Sequence, residues 1–168
     1  MYDVAIIGAG PAGISAALTL KNLSKNFVLF GSDELSEKIL KSERIANYPG
    51  VGSVSGKEFV GMLKKQFGKI DWTKPAEEIE RLIRGLNPWP SAYTSLNGKT
   101  LKIWKASVQP GGDPADAGKI VLADKNSIGV QTGKDILILQ EIQLEGKKRM
   151  SVDAFLRGFT VSAGTELG

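Results

Sequence analysis

The 168-residue chain contains no cysteine and no histidine. Without cysteine there is no disulfide, no thiolate metal site and no redox dithiol. Without histidine the usual general base near neutral pH is missing, so acid–base work would fall to carboxylates or lysines, and no spacing pairs two of these convincingly. No catalytic residue and no metal ligand is therefore assigned. Long apolar runs are absent too. None approaches the length that spans a bilayer, and the N-terminus shows no basic leader or cleavage site, so no membrane association and a cytoplasmic location are expected. Neither an internal repeat nor a low-complexity linker interrupts the sequence.

What is present is an ordinary globular composition, 42% hydrophobic, which suffices to bury a core in one domain or two small ones. The net charge of +4 divides evenly: residues 1–68 hold 8 basic against 6 acidic side chains, and residues 69–168 hold 14 against 12. Such a balance permits nucleic-acid contact, but any basic patch must come from local clustering.

The character of the sequence changes on either side of Ile70 to Tyr93. Thr73 is placed to cap a helix with Pro75 in its second position, and Glu77 and Glu78 follow in the first turn, where carboxylates favour the positive end of the helix dipole. Ile79, Leu82, Ile83 and Leu86 fall on one helical face, Arg81 and Arg84 occupy the last turn, and Gly85 or Asn87 can end the helix. The prolines of Asn87-Pro88-Trp89-Pro90 then force an extended segment. Trp72, Trp89 and Tyr93 are expected to plug a hydrophobic seam.

Upstream, the apolar run Tyr2 to Ile7 ends at Gly8-Ala9-Gly10-Pro11-Ala12-Gly13, and Ile14 to Leu23 reads as a helix. This is the strand–turn–helix of a dinucleotide fingerprint. The first glycine makes the turn, the second lets a pyrophosphate approach the backbone, and the third lets helix and strand pack closely, with free amides at the helix start. A second apolar strand, Asn26 to Phe30, strengthens the reading. At its end, where an acid would bind ribose, stand Gly31 and Ser32, with Asp33 and Glu34 slightly late. Ser55 to Phe67 reads as a further helix with Ser55 and Glu58 in capping-box spacing and Phe59, Met62, Leu63 and Phe67 on one face.

Over Val4 to Gly13 and Glu43 to Gly50 the sequence resembles thioredoxin reductase, and the resemblance covers about residues 1–67. It implies that the glycine motif, Gly8, Gly10, Pro11, Ala12 and Gly13, holds an FAD pyrophosphate and that Asn47 and Pro49 lie near the flavin; Asp33 and Glu34 stay as the candidate ribose acids on spacing alone. The family's remaining FAD-domain strands, its NADPH domain and its CxxC have no counterpart here, so FAD binding is expected to be weak or absent. Two parallel strands also leave open edges, for which a homodimer through this half is one remedy.

Downstream, Leu96-Asn97-Gly98-Lys99 signals a hairpin between Ser91 to Leu96 and Thr100 to Val108. Gln109 to Ala117 is a proline- and glycine-rich loop, Lys119 to Ala123, Gly129 to Gln131 and Asp135 to Leu144 supply further strands, and Ser151 to Gly158 reads as a terminal helix. The stretch IDWTKPAEEIERLIRGLNPWPSAYT, with GKTLKIWKA and EGKKRM after it, resembles the linker and C-terminal domain of methionyl-tRNA formyltransferase from about Gly68 onward. The resemblance implies an OB-like barrel that grips tRNA largely through its backbone. The candidate contacts are Lys99, Lys102, Lys105, Lys147, Lys148 and Arg149. Trp104 alternates with Lys102, where it can stack on a ligand or pack in the core, and the aromatic argument favours packing. That family's catalytic Asn, His and Asp and its folate pocket belong to a domain with no counterpart in these residues.

The expected fold class is α+β: a Rossmann-like βαβα fragment over residues 1–67, a linker with an amphipathic helix over 68–90, and an OB-like β-barrel with a terminal helix over 91–168. The leading expectation for function is a non-catalytic chimera whose barrel binds tRNA weakly. An FAD-binding fragment of oxidoreductase ancestry and a fused scaffold without activity are the alternatives.

Overall fold

The computed structural model describes residues 2–23, 25–31, 37–46, 52–87 and 91–168, with Asn22, Glu37 and residues 64–67 described in their backbone only. Its architecture is α+β, in two compact units that divide at Gly68 and Lys69.

The N-terminal unit carries a two-stranded parallel sheet, β1 (Val4–Ile7) beside β2 (Phe27–Phe30), with Val4 opposite Phe27 and Ile7 opposite Phe30. Between them runs α1 (Pro11–Asn22), which begins three residues earlier than expected because Pro11 sits in its first turn, where a missing N–H costs nothing. A short helix, α2 (Glu37–Leu40), precedes α3 (Gly56–Gly68). The capping box of α3 forms in both directions: the Ser55 amide and hydroxyl each donate to Glu58 Oε2 at 2.8 Å, and the Glu58 amide donates to Ser55 Oγ at 3.3 Å. Phe59 and Leu63 are buried as expected, but Val60 joins them, while Met62 is 46% exposed. The sheet is sparsely covered: Ile7 is 89% and Phe30 57% exposed.

The second unit begins with residues that sequence reading assigns to a linker. Thr73 does not cap α4 (Ala76–Gly85). Its amide and hydroxyl both donate to Asp71 Oδ1, at 3.0 and 2.7 Å, and the N-cap is Pro75, which offers no side-chain acceptor. What fixes the start instead is the chain it meets: the Ala76 amide donates to Lys134 O at 2.9 Å and the Gly133 amide to Trp72 O at 2.9 Å. Ile79 and Ile83 then enter the same core cluster as Trp72 and the strands.

Five strands form an antiparallel path in the order β3-β4-β7-β6-β5: β3 (Ala92–Leu96), β4 (Lys99–Gln109), β5 (Ile120–Ala123), β6 (Ile128–Gln131) and β7 (Ile136–Leu144). A two-residue β8 (Met150–Ser151) is added on β7 and leads into α5 (Val152–Leu156). The β3–β4 turn is the expected one, with Asn97 and Gly98 at φ of 50° and 76°. Residues 164–168 link the two ends of this path. Gly164 and Leu167 donate to Ile120 O and Gly118 O, both at 2.8 Å, beside β5, while Gly168 donates to Ser95 O and accepts from Ser95 Oγ on β3. The sheet is thereby closed around a core of Leu101, Ile103, Val130, Leu137, Leu139 and Ile142, and Leu167 fills it from the closing segment.

Candidate nucleic-acid interface

Strand pleating sorts the basic residues of β4. From Lys99 to Ile103 the pairing with β3 is continuous, with Leu96 opposite Lys99, Tyr93 opposite Lys102 and Ala92 opposite Ile103. Leu101 and Ile103 are buried. Lys99 shares their side of the pleat and emerges only because it lies at the hairpin end, whereas Lys102 and Tyr93 share the outer face. Of the six candidate contacts, Lys99 and Lys102 therefore lie on opposite sides of the pleat.

Simple alternation would send Lys105 inward. Irregularities in the β4–β7 ladder on both sides of Lys105 prevent it: Ile103 pairs with Ile142, Lys105 with Glu141 and Ala106 with Leu139. The extra residue places Trp104 and Lys105 together on the outer face, and Ala106 and Val108 resume packing on the core. Trp104 is thus half-buried on the outside rather than part of the core, a departure from the packing expected of it. Its carbonyl accepts from Asn87 Nδ2 at 3.1 Å, and its buried Nε1 has no hydrogen-bond partner among the described residues.

Two cations lie over the Trp104 ring, the Arg149 guanidinium at 4.8 Å and the Lys102 ammonium at 5.7 Å from its centroid. Arg149 reaches it because β8 pairs with β7, Ser151 opposite Glu141. Its Nε donates to Glu141 Oε2 at 2.7 Å, its Nη2 donates to the same oxygen, and the guanidinium plane is thereby fixed. Arg149 is consequently an ion-paired residue, and Glu141 a member of the site that sequence reading did not single out. The turn carrying Lys147 and Lys148 is tied down nearby: Gln143 Nε2 donates to Lys147 O at 3.1 Å, and the Thr100 amide to Glu145 Oε2 at 3.0 Å. Both lysines are exposed.

On α4, Arg81 meets Glu77 at 3.6 Å and Arg84 meets Glu80 at 3.2 Å. Tyr93, expected in a seam, lies half-buried on the outer face beside Lys102, and burial raises the pKa of its hydroxyl. Trp72 does fill the interior, while Trp89 lies outside the described residues.

In the N-terminal unit the first and third glycines take the turn and packing roles expected of them. Gly8 adopts a φ of 108°, and its amide donates to Phe30 O at 2.7 Å. A Cβ on Gly10 would meet nothing within 4 Å among the described residues, whereas one on Gly13 would stand 1.8 Å from Gly8 O, so the third glycine is what lets α1 lie against the turn. Pro11 and Ala12 form the first turn of α1, where Gly10 supplies no side-chain cap. Asp33, Glu34, Asn47 and Pro49 lie outside the described residues.

Comparison with known proteins separates the same two parts. Residues 62–160 match the family described as formyl transferase, C-terminal domain, and residues 3–84 match the family described as glucose inhibited division protein A, with an overlap at 62–84. The chain is 61% identical over 104 residues to a methionyl-tRNA formyltransferase of Agathobacter rectalis, covering 62% of this chain and 34% of that protein. It is 47% identical over 107 residues to one of Bacillus licheniformis, covering 63% and 34%. It spans about a third of the length of these curated relatives. Among solved structures it is similar to HypX from Aquifex aeolicus (TM-score 0.43, 15% identity, 56% of this chain and 18% of that one). It is also similar to a ferredoxin-flavin thioredoxin reductase from Clostridium acetobutylicum (TM-score 0.39, 28% identity, 82% and 34%). The two ends of the sequence thus match different families.

Proposed function

The chain belongs to the formyl transferase C-terminal domain family, and from that membership we propose that its C-terminal unit is a non-catalytic tRNA-binding barrel. The observation that carries the reading is the outer face of β4 and β7. There Lys102 lies over the Trp104 ring, Lys105 follows it on the same face, and the Lys147–Lys148 turn is tied to Gln143, the cross-strand partner of Lys102, while the arginines of α4 are neutralised by their own helix. Lysines in this arrangement contact phosphates, which position a nucleic acid without reading its sequence. Binding is weak, roughly micromolar or weaker at physiological salt, as for contacts of this kind. The chain performs neither formyl transfer nor thiol–disulfide exchange, for it has no histidine and no cysteine. Its place in this reading is the cytoplasm, away from membranes.

The N-terminal unit, residues 1–67 in this reading, is a vestigial dinucleotide fold. Open space at Gly10 supports a residual affinity for FAD, and the two-stranded sheet argues that this affinity is low, since a dinucleotide needs a crevice flanked by more strands. Exposed Ile7 and Phe30 support pairing of two copies through this half.

The test is a salt series of tRNA binding. The double variant Lys147→Ala/Lys148→Ala is expected to weaken binding and to flatten the slope of log affinity against log salt by about one unit per lost phosphate contact. Arg81→Ala/Arg84→Ala should leave both unchanged. Wild-type protein that binds no tRNA at low salt, or a folded lysine variant with an unaltered slope, would refute the assignment.

A further inference from the structure

The Trp104–Arg149 pair differs from the lysines around it. Trp104 sits on the outer face because it follows the buried Ile103 in the pleat and alternates with Lys102, and its backbone carbonyl is held by Asn87. Arg149 lies over the indole, its side chain 45% exposed, and two of its nitrogens are committed to Glu141. A guanidinium held this way has much of its charge balanced and its hydrogen-bonding edge occupied, so it is a poor phosphate ligand. Its flat, weakly hydrated guanidinium nevertheless remains partly exposed, and the bonds to Glu141 restrain it before any ligand arrives. Arginine planes and aromatic rings are the surfaces on which unpaired bases stack, and such stacking tolerates any base because every base has a π-face.

We propose that the Trp104–Arg149 stack is the seat of one unpaired RNA base, with Lys102 and Lys105 holding the phosphates beside it. The proposal rests on the tRNA-binding reading and makes it more specific: the barrel prefers RNA with an unstacked nucleotide over continuous duplex. Glu141 is a positioning residue that keeps the guanidinium parallel to the ligand it receives.

The experiment compares two synthetic RNAs with equal numbers of phosphates, a blunt duplex and a shorter duplex with a single-stranded 3′ extension, each titrated against the full chain over a range of salt. Wild-type protein is expected to prefer the extended RNA by about tenfold or more, the range of a single stacked base. Trp104→Ala should abolish the preference, bringing the affinity for the extended RNA down to that for the duplex. Arg149→Lys, which keeps the charge and loses the plane, should reduce the preference without disturbing any core residue, and so guards against unfolding of the tryptophan variant. Equal affinity of the wild type for the two RNAs, or a preference that survives in Arg149→Lys, overturns the base seat and leaves the phosphate reading standing. Failure to bind either RNA overturns both.

Discussion

The indole Nε1 of Trp72 donates to the hydroxyl of Thr94 across 3.1 Å, and both side chains are buried. The bond fastens the segment before α4 to β3, the first strand of the sheet, in a region from which water is excluded. A buried donor that loses its acceptor bears the full cost of its desolvation.

Thr94→Val keeps the shape and removes the acceptor. We expect it to lower the stability of the C-terminal unit by about 1–3 kcal/mol, seen as a lower denaturant midpoint with an unchanged slope. A midpoint equal to that of the wild type would mean that the indole N–H finds another partner.

The glycines of the turn should part company under substitution. At Gly13 an added methyl stands 1.8 Å from the Gly8 carbonyl oxygen, so Gly13→Ala must separate α1 from β1 and should cost roughly 1–3 kcal/mol of N-terminal stability. At Gly10 the same methyl meets no described atom and the backbone φ is −76°, so Gly10→Ala should stay within about 0.5 kcal/mol of the wild type. Hydrogen exchange at Val4 to Ile7 reads both; equal acceleration in the two variants would contradict the packing role of Gly13.

Stability of α3 should carry an acid limb. The Ser55 amide, and then its hydroxyl, hold the Glu58 pKa below its ordinary 4.5. A carboxylate whose pKa falls on folding stabilises the native state above the unfolded-state value and loses that contribution as pH drops through the folded one. The cap of α3 should therefore be fully present above about pH 5 and weaken below about pH 4. A carboxyl NMR titration of Glu58 with a midpoint at or above 4.5 would disprove the pairing, and Ser55→Ala should move the midpoint only part of the way back, since the amide still donates.

Much of the local structure was legible from the residues alone. The Asn97-Gly98 turn, the box at Ser55 and Glu58 and the apolar spacing of α4 are set by residues close together in the chain, so the sequence carried them without help from the fold; the glycine turn before α1 was legible from its own residues too, although its Gly8 amide is satisfied by Phe30 on β2. Other features depend on which strand lies beside which, and those the tertiary structure decided. Pleat parity separated Lys99 from Lys102 and would have separated Lys105 as well, had the ladder irregularities opposite Glu141 not brought it outward. The same pairing of β7 with β8 set Arg149 on Glu141 and over Trp104, turning one of six candidate phosphate contacts into an oriented plane. Thr73 lost its capping role because the backbone at Lys134, about sixty residues away in sequence, satisfied the first amide of α4 instead. Periodicity and spacing describe a segment's own preferences, whereas register, bulges and cross-strand partners arise only when distant segments compete for the same hydrogen bonds and the same side of a sheet.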